Sequence, residues 1–175
     1  MEKNYVVMTD SSADLNPALE QELGVDIIPL SVNCGDRTFL DYPDEREIKT
    51  SEFYGMLRSG ANAKTAAANV ETFLTAMSRH LEQGKDVLYL GFSSGLSSTY
   101  SASEIAAQEL RERYPERKVL TVDTLCASMG QGLLVWLAAR EQKKGRTIEE
   151  VRDWAETHKQ AVCHQFTVQD LKFLK

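Results

Sequence analysis

Residues 86–100, DVLYLGFSSGLSSTY, read as a buried strand, a glycine- and serine-rich turn, and the start of a helix. DVLYL is a short apolar run of β-favouring residues, whereas Gly91 and Gly95 bracket a stretch that neither regular structure favours. From about Ser98 the pattern becomes helical and runs to Tyr114, where Pro115 stops it. The same order recurs elsewhere: YVVMT (5–9) is followed by DSSADL, and KVLTV (118–122) by DTLCAS. Short apolar strands alternating with longer helical patterns predict an α/β fold, a three-layer α/β/α arrangement with a mainly parallel sheet.

Outward from this core, VDIIPLSVN (25–33) predicts a strand that Pro29 confines to an edge or a bulge. Gly35 and Asp36 turn a hairpin over residues 34–40. AVCHQF (161–166) reads as a further strand. Helices are marked by their ends. Asn16-Pro17 opens one that Gly24 closes, a second covers about 51–58, and Asn69 caps one over 70–81. A fifth spans about 127–143, and Thr147 with Glu150 makes the capping-box pattern of a sixth that ends near Lys159. A last helix is expected from Thr167 through VQDLKFLK. Residues 1–160 are expected to form one α/β ligand-binding domain, and the uncapped helix that ends 161–175 suggests either the start of a second, truncated domain or a frayed terminus.

The 175 residues, 42% hydrophobic, are enough to bury a core without staples. Cys34, Cys126 and Cys163 are an odd number with no paired spacing, as suits a reducing cytoplasm. The 20 Lys and Arg are scattered among 26 Asp and Glu, which argues against a nucleic-acid partner. No run approaches the length of a membrane span. There is no GxGxxG, Walker lysine motif or HExxH, so no cofactor is expected.

Three strand-to-helix junctions are rich in small hydroxyl residues: 9–15, 91–100 and 123–128. In an open parallel sheet such junctions share the carboxyl edge, where ligands bind. Ser93, Ser94, Ser97, Ser98 and Thr99 surround Gly95 at a helix start, a setting that favours an anion. GFSSG also fits G-x-S-x-G, which would make Ser93 the nucleophile of a serine hydrolase with Asp123 and His158 or His164. Both histidines, however, fall within regular elements. A phosphate- or nucleotide-binding module is the third reading. Asp10, Asp14 and Asp123 suggest Mg²⁺ or simple turn residues. Cys126, near a helix start, is either a thiol of lowered pKa or a packed small residue. Gly130 and Gly132, within the apolar helix 127–143, leave room for a neighbouring element or for an elongated apolar ligand.

Taken together these motifs resemble the DegV family of bacterial fatty-acid-binding proteins. Residues 9–15 (TDSSADL) are similar to its TDS[TS]ADL signature, 27–32 (IIPLSV) to its IPL-x-V strand, 93–100 (SSGLSSTY) to its SSxLSGTY loop, and 123–133 to its VDS…S-x-G-x-G stretch. The resemblance implies the N-terminal part of a two-domain protein that buries a long-chain fatty acid. Its carboxylate would be held by Ser93 and Ser94 with Thr65, among the hydroxyls that include Ser97 and Thr99. The tail would lie along Met129, Leu133 and Trp136. The resemblance also implies a separate fatty acid kinase as partner, so that the binding protein is not itself an enzyme. Two positions depart from the family pattern. Residues 65–69 read TAAAN where the family has TSQPS, and Ser98 replaces a glycine. The chain ends just before the family's RGGR-type motif.

Overall fold

The structure, a computed structural model, describes residues 4–168. Four strands, β1 (Tyr5–Asp10), β2 (Asp26–Ile28), β6 (Asp86–Gly91) and β7 (Val119–Asp123), form a parallel sheet in the order β2-β1-β6-β7. Between β2 and β6 the chain makes β3 (Ser31–Cys34), β4 (Arg37–Leu40) and β5 (Ala63–Ala66), an antiparallel sheet in the order β4-β3-β5.

Alternation along the parallel strands sends side chains to two separate cores. Tyr5, Val7, Leu88, Leu90 and Val122 pack beneath α1 (Pro17–Leu23), α5 (Ser128–Lys143) and α6 (Ile148–His158). Met8, Val87, Tyr89 and Val119 pack on the opposite face beneath α3 (Val70–Glu82) and α4 (Thr99–Arg113). The three-layer α/β/α expectation therefore holds, with the small antiparallel sheet and α2 (Thr50–Arg58) set beside it.

The caps explain the helix limits. Asn16 Oδ1 accepts from Leu19 N, Asn69 Oδ1 from Thr72 N, and Thr147 with Glu150 forms the reciprocal capping box. Pro29, which has no N–H to donate, divides the expected single strand at 25–33 into β2 and β3, which belong to different sheets. Gly35, at φ 61°, turns the expected hairpin between β3 and β4.

The strand expected at 161–166 does not form. Lys159–Ala161 make a 3-10 turn, and the chain then runs without a ladder partner to Val168. Val162 packs against the first core, while Cys163, His164, Gln165 and Phe166 are exposed. The apolar alternation there reflects this single anchor. Of the helix expected from Thr167, residues 169–175 lie outside the described residues.

Candidate functional site

The sheet order places a topological switch between β1 and β6. After β1 the chain leaves to α1 on one face, and after β6 to α4 on the other. In an open parallel sheet this divergence opens a crevice at the carboxyl ends of the two strands. The turn at 10–14 and the loop at 91–98 meet there.

Asp10 organises the junction. It is fully buried, and Oδ2 accepts hydrogen bonds from the Tyr89 hydroxyl (2.6 Å), Phe92 N (3.1 Å) and Gln131 Nε2 (3.2 Å). Oδ1 accepts from Ser12 N at 3.1 Å and from the Ser12 hydroxyl. Gln131 also donates to Thr9 Oγ1 at 3.0 Å, and its Oε1, 2.9 Å from Ser12 Oγ, shares the single Ser12 hydroxyl proton with Asp10. A buried carboxylate persists only when its lone pairs are matched in this way. Burial, together with the negative charge of Asp10, raises the Tyr89 phenol well above its ordinary value, so it stays protonated and donates. Sequence reasoning missed Tyr89 and Gln131. The available signal was a lone amide in the apolar run of α5.

The amides of Phe92 to Ser97 and of Thr99, in and after the Ser-rich loop, are also matched internally. Phe92 N serves Asp10, Ser93 N donates to Cys126 O (3.0 Å), and Ser94 N to Asp123 Oδ1 (3.2 Å). Gly95 N donates to Ser93 Oγ (3.3 Å), Leu96 N and Ser97 N to Ser93 O, and Thr99 N to Ser97 Oγ (3.2 Å). Ser93 is buried, and because its oxygen accepts from Gly95, its own O–H is left to donate. Ser94 and Ser98 are exposed. Thr99 is fully buried with its hydroxyl 2.9 Å from that of Ser97, so these two residues satisfy each other.

The readings that required a different geometry are corrected. His158 Nδ1 lies 2.7 Å from Trp154 O and its ring stacks on Trp154, while His164 Nε2 accepts from Ala127 N at 3.3 Å. Neither bonds Ser93, and no hydrolase triad assembles among the described residues. Asp10, Asp123 and Asp14 are each taken by donors, the last by Ser128, and do not converge on a metal position. Burial pushes the Cys126 thiol up rather than down. The room at Gly130 and Gly132 is filled by the chain: a Cβ would stand 1.9 Å from His164 Nε2 at the first and 2.3 Å from Ala13 O at the second.

Thr65 stands on the small antiparallel sheet, not on the loops that carry these hydroxyls. It lies on β5, opposite Val32, rather than in a loop, and is exposed. It lines a cavity of about 540 Å³ between the small sheet, α2 and the turn after β1, walled by Phe39, Ile48 and Phe53 and bordered by Asp14, Asp41 and Glu45. Among the described residues Thr65 makes no hydrogen bond to the loop at 93–99. Burial raises the Asp41 carboxyl, with the Ser11 hydroxyl acting the other way and Asp14 adding to the rise. On α5, Met129, Leu133 and Trp136 share one face. Met129 and Leu133 are 62% and 46% exposed, and Leu125 beside them 47%. Trp136 is partly buried against the first core, with the Arg140 guanidinium 4.5 Å from its ring centroid.

No helix among the described residues is long and apolar enough to cross a membrane. A DegV domain-containing protein of Clostridium perfringens is 40% identical over 173 residues, which are 99% of this chain and 59% of that relative. The chain thus spans about three-fifths of the length of that curated relative. Among solved structures, a Thermus thermophilus DegV family protein described by its fatty acid binding is 34% identical with a TM-score of 0.78. That alignment covers 90% of this chain and 54% of the other. A DegV lipid-binding protein from Thermotoga maritima is 32% identical with a TM-score of 0.79, over 90% and 55% of the two chains. The family model described as "Uncharacterised protein, DegV family" matches residues 4–175, and the chain belongs to that family.

Proposed function

We propose that this chain binds a long-chain fatty acid, with the carboxylate at the hydroxyls of Ser93 and Ser94, aided by Thr65, while the mutually bonded Ser97 and Thr99 hold the loop in place. The acyl tail then lies along the Met129–Leu133–Trp136 face of α5. The observation that carries the proposal is the state of the loop after β6. At the switch point of the sheet the amides of Phe92 to Ser97 are used internally, while the Ser93 hydroxyl keeps a hydrogen to donate. Two hydroxyls suit the two oxygens of a carboxylate. A phosphate cradle draws instead on a run of free amides.

The tail's place is supported by exposed apolar side chains. Met129, Leu133 and Leu125 are uncovered apolar side chains at the start of α5 and in the turn before it, and grouped exposed apolar surface marks an interaction site. The fatty-acid-binding relatives support the ligand class. In this reading residues 161–175 begin a second domain that covers the tail, and the protein acts as a carrier without catalysis of its own. It presents the carboxylate to a separate fatty acid kinase in the cytoplasm.

Native mass spectrometry of the complete gene product, after bacterial expression, tests the proposal. A retained acyl chain that exchanges with added fatty acid is the expected result. A protein that retains none and takes up none refutes it.

A further inference from the structure

We infer that Asp123 is a specificity-determining residue of this site: its carboxylate fills, from within the chain, the position between two loop amides that a phosphate oxygen would otherwise take. Asp123 Oδ1 accepts from Ser94 N at 3.2 Å and from Leu125 N at 3.1 Å. The two amides come from the loops after β6 and β7 and meet on one oxygen, which is how backbone loops hold an oxyanion. The main chain of Asp123 is itself fixed, since its carbonyl accepts from Lys159 Nζ at 2.9 Å. On the other side of the loop Asp10 takes Phe92 N in the same manner.

These built-in anions have two effects. They occupy the amides of Phe92, Ser94 and Leu125, and their charge repels a dianion more strongly than a monoanion. Beside these occupied amides stands the pair of serine hydroxyls, which a carboxylate can satisfy with its two oxygens. Asp123 thereby separates fatty acids from phosphates. This inference rests on the reading of Ser93 and Ser94 as the carboxylate site, but its test needs no fatty acid.

The test is a titration of inorganic phosphate into the ¹⁵N-labelled chain, wild type and Asp123→Ala, followed at the amides of Ser94 and Leu125. No shift is expected in the wild type, and saturable shifts in the millimolar range in Asp123→Ala. Wild-type shifts at these amides, or a folded Asp123→Ala that gives none, overturn the inference. Asp123→Asn keeps the acceptor and removes the charge, so both amides are expected to stay bonded and indifferent to phosphate. Phosphate binding by that variant overturns amide occupancy as the cause. Should Asp123→Ala unfold, amide exchange in the wild type still decides: Ser94 and Leu125 are expected to be protected, and exchange as fast as in open loops refutes the assignment. Phosphate results as expected, combined with a gene product that binds no fatty acid, would refute the fatty-acid reading alone.

Discussion

Replacing Gly132 with alanine sets two effects against each other. In an open helix interior the change gains about 1 kcal/mol of helix propensity. In α5 the new Cβ would meet the Ala13 carbonyl oxygen at 2.3 Å and Leu15 Cδ2 at 3.3 Å. Carbon and oxygen need roughly 1 Å more than that to reach ordinary contact. The obstacle is backbone, held by the Asp14 N to Ser11 O bond and by the Ser12 bonds to Asp10 and Gln131, so it cannot swing aside. Overpacking of this kind costs about 1–3 kcal/mol, and loosening of the Gln131 bonds adds about 1 kcal/mol in all. After subtraction of the propensity gain, a net loss of about 2 kcal/mol is expected, a fall in Tm of about 4–8 °C for a chain of this size. Gly55→Ala is the internal control. It lies in the middle of α2 with nothing within 4 Å of a new Cβ, and is expected to stabilise by about 0.5–1 kcal/mol. Thermal melts of the two variants, run beside the wild type, should move in opposite directions. A Gly132→Ala protein as stable as the wild type would refute the close packing of α5 on the turn after β1.

Two further outcomes are expected. Tyr89→Phe removes the 2.6 Å hydrogen bond to Asp10 and should lower the urea midpoint by the equivalent of about 1.5–3 kcal/mol with an unchanged m value; an unshifted midpoint would show that the Asp10 network is not held by this phenol. The hydrogen bond from His80 to Asp26 (2.6 Å) holds the Asp26 carboxyl below its ordinary value, burial opposing it. A depressed native pKa gives stability that is present above the unfolded value of about 3.9 and is lost as pH falls through the native one. Asp26→Asn should therefore shrink the stability lost between about pH 5 and 3 relative to wild type, and equal acid limbs in the two proteins would contradict the pairing.

Much of the layered fold was legible because local signals and global packing agree. Asn69 and the Thr147–Glu150 pair cap the helices they were expected to cap, and the apolar runs of β1 and β6 lie at the centre of the sheet with β7 at its edge. Residues 63–66, AKTA, form a strand that composition conceals: alanine and lysine have little strand preference, and β5 exists because β3 offers it an edge. Residues 161–166 join no ladder: Val162 is anchored on the first core, and the residues from Cys163 to Phe166 are exposed. At the site, the density of serines pointed to the loop after β6. It could not reveal that Asp10 and Asp123 already use its amides, because those bonds span 82 and 29 residues of sequence. The glycines of α5 were ambiguous for a similar reason. Only the fold shows that His164 and Ala13 fill the space beside them.

The account turns on the two hydroxyls after β6. The direct test is the equilibrium affinity of the complete gene product for a long-chain fatty acid, compared between wild type and a Ser93→Ala/Ser94→Ala double variant of equal Tm. Each hydroxyl bond to a charged group is worth about 1.5–3 kcal/mol, so the double variant should bind at least about 100-fold more weakly. Equal affinity in the two proteins would contradict the placement of the carboxylate at this loop.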